Sequence, residues 1–118
     1  MGINQVTKGL DPTAHAEIVA IRDACQRLRT FSLAGLEIYT SCEPCPMCLG
    51  AIYWARLDKV YYGATREDAA KINFDDHYFY EEIKKAPRER KVLMNQIMRD
   101  ECIKIFDTWT NFDEKIHY

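Results

Sequence analysis

Two short motifs that carry metal-binding side chains impose the strongest constraint on how this chain can fold. The first is His15-Ala16-Glu17 and the second, further along, is Pro44-Cys45-Pro46-Met47-Cys48. An imidazole and two thiolates are preferred zinc ligands, and three protein ligands leave a fourth position for water. A fold that uses both motifs together must therefore bring His15 against the Cys-x-x-Cys segment.

The spacing within each motif suits catalysis at such a zinc ion. Pro46 is typical of a first helical position, so both sulfurs lie on the first turn of a helix, where the dipole favours thiolates. Zinc lowers the pKa of a bound water towards about 7. A carboxylate within reach of that water can take its proton and pass it to a substrate. We therefore predict Zn²⁺ as the cofactor, held by His15, Cys45 and Cys48, with Glu17 as the catalytic residue.

Each motif alone has a more ordinary interpretation. A single histidine at a helix start is usually a surface or capping residue, and a lone Cys-x-x-Cys is a redox pair or half of a structural zinc site. A structural site needs four protein ligands, and neither His77 nor His117 lies at a paired-ligand spacing. A redox pair has no need of His15 and Glu17 upstream. The combination therefore favours a catalytic zinc site.

Composition sets the broad class of the protein. The 118 residues are 47% hydrophobic and 29% charged, which predicts one globular domain over residues 1–118. No apolar run approaches the roughly 20 residues that span a bilayer, so we expect no membrane partner. The net charge of −2 disfavours nucleic acid as a partner without excluding it. The five cysteines are odd in number and no secretory signal pattern precedes them, which indicates reduced thiols and a cytoplasmic location.

Hydrophobic periodicity alternates between helical and strand patterns along the chain. It predicts a helix that starts at Asp11-Pro12, a strand over 36–40, a helix opened by Pro46 and a strand over 59–63. Further along it predicts a short helix or turn over 66–72, a helical turn over 78–85, a third strand over 92–98 for which a helix is the alternative, and a closing helix over 100–112. This order favours an α/β domain in which helices cover a largely parallel sheet.

The two motifs together are those of zinc-dependent deaminases. At these residues the chain resembles the cytidine deaminase-like superfamily, and within it most of all the bacterial guanine deaminases. The matching segments are DPTAHAE (11–17), YTSCEPCPMCLGAIYWAR (39–56), GATREDAAKINFDD (63–76) and the terminal tyrosine. The resemblance implies a three-layer α/β fold with helices on both faces of the sheet, and the hydrolysis of guanine to xanthine and ammonia. Because family members carry a helix and two strands before the segment of Asn4, we expect the fold to lack its usual N-terminal helix and first strands.

The resemblance also implies roles for four residues outside the zinc motifs. Asn4 matches an asparagine that contacts the base, Asp76 an aspartate that recognises the guanine amino edge, and Trp54 an aromatic near the pocket. Tyr118 matches a tyrosine that reaches the partner subunit's site by domain swapping, which implies a homodimer. Each has a plainer alternative: a loop residue for Asn4, a solvated turn for Asp75 and Asp76, a core residue for Trp54 and a frayed terminus for Tyr118.

Several related functions share this chemistry and remain open. Guanosine deaminases, tRNA adenosine deaminases and cytosine deaminases use the same zinc motif. A tRNA enzyme should show a more basic surface for phosphate contacts than a net charge of −2 provides. A different class of function is a shortened, inactive subunit that supports a partner protein.

Overall fold

Two compact units make up the part of the chain that the computed structural model describes, which is residues 1–74 and 76–118. The first unit is Met1–Glu81 and the second is Glu82–Tyr118. The elements are α1 (Val6–Gly9), α2 (Ala16–Leu28), β1 (Glu37–Cys42), α3 (Pro46–Trp54), β2 (Lys59–Ala64), α4 (Arg66–Ala70), α5 (His77–Lys84), a 3₁₀ turn (Pro87–Glu89) and α6 (Arg99–Thr110). The single domain expected over residues 1–118 stays a prediction.

The two strands form a parallel pair that α3 connects. Glu37 lies opposite Lys59 and Tyr39 lies opposite Tyr61 in the register. Parallel neighbours need a crossover connection, and here α3 is the helix of a β-α-β unit. The predicted α/β class with a parallel sheet is therefore confirmed, and both central strands lie within two residues of their predicted bounds.

The two faces of the sheet differ in what covers them. On one face Ile38 is buried, and Thr40 makes a hydrogen bond to Glu17, so this face meets α2. On the other face the rings of Tyr39 and Tyr61 stack with their centroids 4.7 Å apart, and both side chains are exposed. Alternation of this kind follows from the pleat, which points successive side chains to opposite faces.

The core of the first unit is small and lies between α2, α3 and the covered face of the sheet. Its buried apolar side chains are Ala14, Ile18, Leu33, Ile38, Cys48, Ile52 and Ala55. The chain start packs against α2 so closely that a Cβ at Gly2 would lie 2.2 Å from the carbonyl oxygen of Ala16. Only glycine permits this approach. No helix in the described residues has the length and apolarity needed to cross a membrane.

The predicted helix start at Asp11-Pro12 is wrong. The backbone N–H and the hydroxyl of Thr13 both donate to Oδ1 of Asp11, at 2.8 and 2.6 Å. The aspartate therefore closes a turn on its own backbone, as this residue type often does. The helix begins instead at Ala16, with His15 as its N-cap residue.

The second unit contains the closing helix that the periodicity predicts, but the third strand predicted over 92–98 is wrong. These residues have no strand partner in the described part of the chain, and Val92, Leu93 and Ile97 are each at least 74% exposed. A strand exists only where a neighbour takes up its backbone hydrogen bonds. No residue described in this unit is buried, although it carries many large apolar side chains: Val92, Leu93, Ile97, Met98, Ile105, Phe106, Trp109, Phe112 and Ile116.

Candidate metal centre

Three side chains from two helix starts place a nitrogen and two sulfurs together. Nδ1 of His15 lies 3.6 Å from Sγ of Cys45 and 3.6 Å from Sγ of Cys48. All three donor atoms lie within 4.8 Å of one another. A tetrahedral zinc ion with ordinary bond lengths separates its nitrogen and sulfur ligands by about 3.6 Å. The donor set therefore fits zinc in both chemistry and spacing.

Local backbone structure explains why these donors converge. His15 is the N-cap of α2 and Cys45 the N-cap of α3, and both have extended backbone, with ψ of 158° and 167°. An N-cap side chain lies beside the unpaired amides of its helix. Sγ of Cys45 accepts a hydrogen bond from the N–H of Cys48 at 3.5 Å, and Pro46 opens the helix without an N–H of its own. Two positive helix ends therefore point at one cluster.

The two sulfurs differ in their proton affinity. The thiol of Cys48 donates a hydrogen bond to Cys45, and together with backbone donors and the neighbouring His15 it lowers the pKa of Cys45 to about 6. The same hydrogen bond, burial and the nearby charges of Cys45 and Glu17 raise the pKa of Cys48 above its ordinary value. Above about pH 6 the pair therefore favours a thiolate at Cys45 and a thiol at Cys48. Metal binding at such a pair releases the remaining proton.

Glu17 lies on the first turn of α2, beside this cluster. Its carboxylate Oε1 accepts a hydrogen bond of 3.5 Å from the hydroxyl of Thr40 on β1. Its charge and hydrogen bonding contribute to the raised pKa of Cys48, one of the candidate metal ligands. The structure thus brings together all four residues that the zinc motifs identify.

A second set of contacts holds the segment that runs from the last residue of β1 to the first residue of α3. We call this segment the ligand loop (residues 42–46). Glu43 accepts a hydrogen bond from the N–H of Arg66 at 3.1 Å, and its own N–H donates to Ala64 at 2.8 Å. The hydroxyl of Tyr80 donates to the carbonyl of Pro44 at 2.8 Å, and the Arg66 guanidinium lies 4.7 Å from the centre of the Tyr80 ring. Sequence reasoning missed these residues, because nothing in their spacing distinguishes them from surface positions.

The four residues expected to contact the substrate lie in different parts of the structure and differ in their exposure. Asn4 accepts a hydrogen bond from the N–H of Val6 at 3.0 Å, as a turn residue does. Asp76 precedes α5, and its Oδ1 is buried with no hydrogen-bond partner among the described residues. Trp54 ends α3 and is 64% exposed, and Tyr118 belongs to the second unit and is 72% exposed.

The charge of Asp76 affects a residue of the ligand loop. Burial first, and then the charges of Asp76 and Glu17, raise the pKa of Cys42 at the start of that loop. The backbone carbonyl of Asp76 also accepts a hydrogen bond from the N–H of Tyr80, whose hydroxyl in turn binds the carbonyl of Pro44 in the ligand loop. Its neighbour Asp75, which belongs to the same predicted run, lies outside the described residues.

Comparisons with known proteins agree with this geometry. Residues 1–64 match the model of the cytidine and deoxycytidylate deaminase zinc-binding region. The guanine deaminase of Bacillus subtilis is 50% identical over 117 residues, which are 99% of this chain and 75% of that protein. A tRNA-specific adenosine deaminase of Buchnera aphidicola subsp. Schizaphis graminum is 35% identical over 92% of this chain and 69% of its own length.

Solved structures give the same result for the fold. The crystal structure of the Bacillus subtilis guanine deaminase superposes with a TM-score of 0.96, covering 99% of this chain and 74% of that one. A guanine deaminase structure from Nitrosomonas europaea has a TM-score of 0.60 at 38% identity, over 64% of this chain and 44% of that one. The chain is therefore a homologue of guanine deaminase and belongs to the zinc-dependent cytidine and deoxycytidylate deaminase family.

Proposed function

We propose that this protein hydrolyses guanine to xanthine and ammonia. The observation that carries the proposal is the cluster of His15, Cys45 and Cys48 with Glu17 beside it, in a chain half identical to a guanine deaminase over nearly its whole length. The family supplies the deaminase chemistry, and the similarity to that relative supports guanine as the substrate.

The reaction consumes one water. The water oxygen forms a bond to C2 of guanine, the bond from C2 to the exocyclic nitrogen breaks, and ammonia leaves. The chemistry that zinc supplies when bound is Lewis acidity, which makes water nucleophilic near neutral pH. Glu17 accepts one proton of the attacking water and delivers it to a ring nitrogen. It then takes the second proton from the hydroxyl now bonded to C2 and passes it to the departing amine, so that ammonia leaves as the C2 carbonyl forms. Its position beside Cys48 supports this role.

Recognition of guanine needs hydrogen-bond acceptors, because the N1–H and the exocyclic amine are both donors. An ionised aspartate is an acceptor only, so Asp76 suits this edge of the base. Its buried Oδ1, which has no partner within the described residues, supports the assignment. We include Asn4 as a further contact to the base and Trp54 as an aromatic stacking face near the pocket.

We also propose a homodimer in which the second unit exchanges between subunits and Tyr118 reaches the partner subunit's site. A compact unit with large exposed apolar side chains and no buried residue among those described needs a surface to cover it. We place the protein in the cytoplasm, where its free thiols remain reduced.

The exchange can be tested by complementation. Glu17→Gln and Tyr118→Phe homodimers are each expected to have little activity. Mixed dimers, refolded together, should regain up to about a quarter to a half of the wild-type rate, because one site then holds both intact residues. Activity no higher than the two inactive parents would contradict a tyrosine acting in the partner's site.

The substrate is tested by ammonia release from zinc-loaded protein with a panel of guanine, guanosine, adenine, cytosine and a tRNA anticodon stem. Guanine should react fastest. Faster reaction of the tRNA stem would instead favour the second candidate, a tRNA adenosine deaminase, which the 35% identity to the Buchnera protein supports. Full zinc loading with no ammonia from any substrate would overturn the enzyme proposal in favour of a supporting subunit.

A further inference from the structure

Tyr80 lies on α5, the helix that directly follows Asp76. The carbonyl oxygen of Asp76 accepts hydrogen bonds from the N–H of Phe79 at 3.0 Å and of Tyr80 at 3.3 Å, so Asp76, which directly precedes α5, is bonded to the first turn of that helix. Any displacement of this turn relative to the rest of the first unit therefore displaces the Asp76 carboxylate as well.

The other end of Tyr80 touches the ligand loop. Its hydroxyl donates to the carbonyl of Pro44 at 2.8 Å, and Pro44 is bonded directly to the metal ligand Cys45. The ring is held in place by the Arg66 guanidinium, 4.7 Å from its centre. Pro44 has no N–H, so its carbonyl is the backbone group through which this residue can be held.

Arg66 completes a connection around the same loop. Its backbone N–H donates to the carboxylate of Glu43, the residue before Pro44, at 3.1 Å. Two neighbouring residues of the ligand loop are thus held from outside, one by the hydroxyl of Tyr80 and one by the backbone of Arg66, while the guanidinium of Arg66 keeps the Tyr80 ring in its orientation.

We propose that Tyr80 is a positioning residue that fixes the ligand loop, and with it Cys45, at a set distance from the carboxylate of Asp76. The part of this inference that concerns Asp76 rests on the proposed function, in which Asp76 holds guanine. A base held by Asp76 can present its C2 to the metal site only if the distance between the start of α5 and the ligand loop stays fixed. Small errors in such placement reduce rates strongly.

The test uses Tyr80→Phe, which removes the hydroxyl and keeps the ring on Arg66. Zinc release to a chromogenic chelator should be roughly fivefold faster than in wild type, because the ligand loop loses one hydrogen bond. The value of kcat/KM for guanine should fall by roughly five- to tenfold. Tyr39→Phe is the matched control, since that hydroxyl binds the surface residue Glu37, and it should change neither rate.

A double-mutant cycle separates positioning from general stability. Tyr80→Phe should have little further effect on kcat/KM when Asp76→Asn is already present. In that variant residue 76 no longer holds the base, so a fixed distance between it and the ligand loop no longer matters for the reaction. Fully additive losses, or zinc release equal to wild type, would overturn the proposal. If wild type does not deaminate guanine, the proposed function fails on its own, and the zinc-release rate alone then decides whether Tyr80 fixes the ligand loop.

Discussion

The hydroxyl of Thr40 donates a hydrogen bond to the carboxylate of Glu17 across the interface between β1 and α2, at 3.5 Å. The same hydroxyl lies 3.0 Å from the carbonyl oxygen of Cys42, so both acceptors are within hydrogen-bond distance of one donor. The sheet therefore supplies a contact that orients the proposed proton carrier. This contact was not evident from the motif, which contains only residues of α2 and its N-cap.

Thr40→Val should lower kcat roughly three- to tenfold and leave zinc content unchanged, because Glu17 loses an orienting donor. Thr108→Val is the control, since that hydroxyl bonds only to the carbonyl of Lys104 within α6 among the contacts described. Ammonia release and zinc content are measured on the same samples. A kcat equal to wild type would show that Thr40 does not orient the carboxylate.

Glu17→Gln should keep zinc and lose turnover by roughly 10²- to 10⁴-fold, because an amide cannot carry the proton between water and substrate. Glu37→Gln, which alters an exposed carboxylate paired with Lys59, should leave kcat within experimental error. Steady-state ammonia release gives the rates and atomic absorption gives the zinc content. Substantial turnover in a zinc-loaded Glu17→Gln protein would refute the proton-carrier role.

Asp76→Asn should raise KM for guanine by roughly 10- to 100-fold, because the amide replaces one acceptor oxygen by a donor that faces the donors of the base. Asp23→Asn removes a surface carboxylate paired with Arg27 and serves as the control. Steady-state kinetics over a range of guanine concentrations give KM and kcat separately. An unchanged KM for guanine would remove Asp76 from the binding site.

The lowered pKa of Cys45 predicts its reactivity in metal-free protein. Because the pKa is lowered to about 6, the thiolate is the main form at pH 7 and is lost as the pH falls below 6. Alkylation of Cys45 by iodoacetamide, followed by mass spectrometry of peptides, should show a midpoint near pH 6, and zinc should suppress it. A midpoint near the ordinary thiol value of about 8.5 would contradict this prediction.

The turn from Thr65 to Asp68 predicts a pH-dependent contribution to stability. Hydrogen bonds from Lys71 first, and then from the backbone and hydroxyl of Thr65, lower the pKa of Asp68 to about 2. A lowered pKa stabilises the fold above the unfolded value, near 3.9, and the stabilisation is lost as the pH falls towards 2. Because Asp68 is exposed and water screens its interactions, Asp68→Asn should lower Tm only slightly at pH 6, with a difference that shrinks between pH 4 and pH 2. A difference independent of pH would contradict the assignment.

The sequence predicted those features of the fold and the site that depend on a few neighbouring residues. The grouping of His15 with Cys45 and Cys48 could be predicted because the residue types and their spacing within each motif are those of a zinc site, although the helix start at His15 itself was not predicted. The strand predicted over 92–98 failed because a strand depends on a neighbour, which periodicity does not reveal. Tyr80 could not have been found, because its contact with Pro44 joins residues 36 apart in the chain.

The metal site also joins two distant points of one chain. His15 and Cys48 are 33 residues apart, and β1 lies between them in the sequence. An ion that binds both closes a loop of that length and removes conformational entropy from the unfolded chain, as a covalent cross-link does. The small core between α2 and α3 would then depend on the same ion as the chemistry. Removal of zinc should therefore lower the free energy of unfolding as well as stop turnover, so Tm and activity should both fall when the ion is chelated.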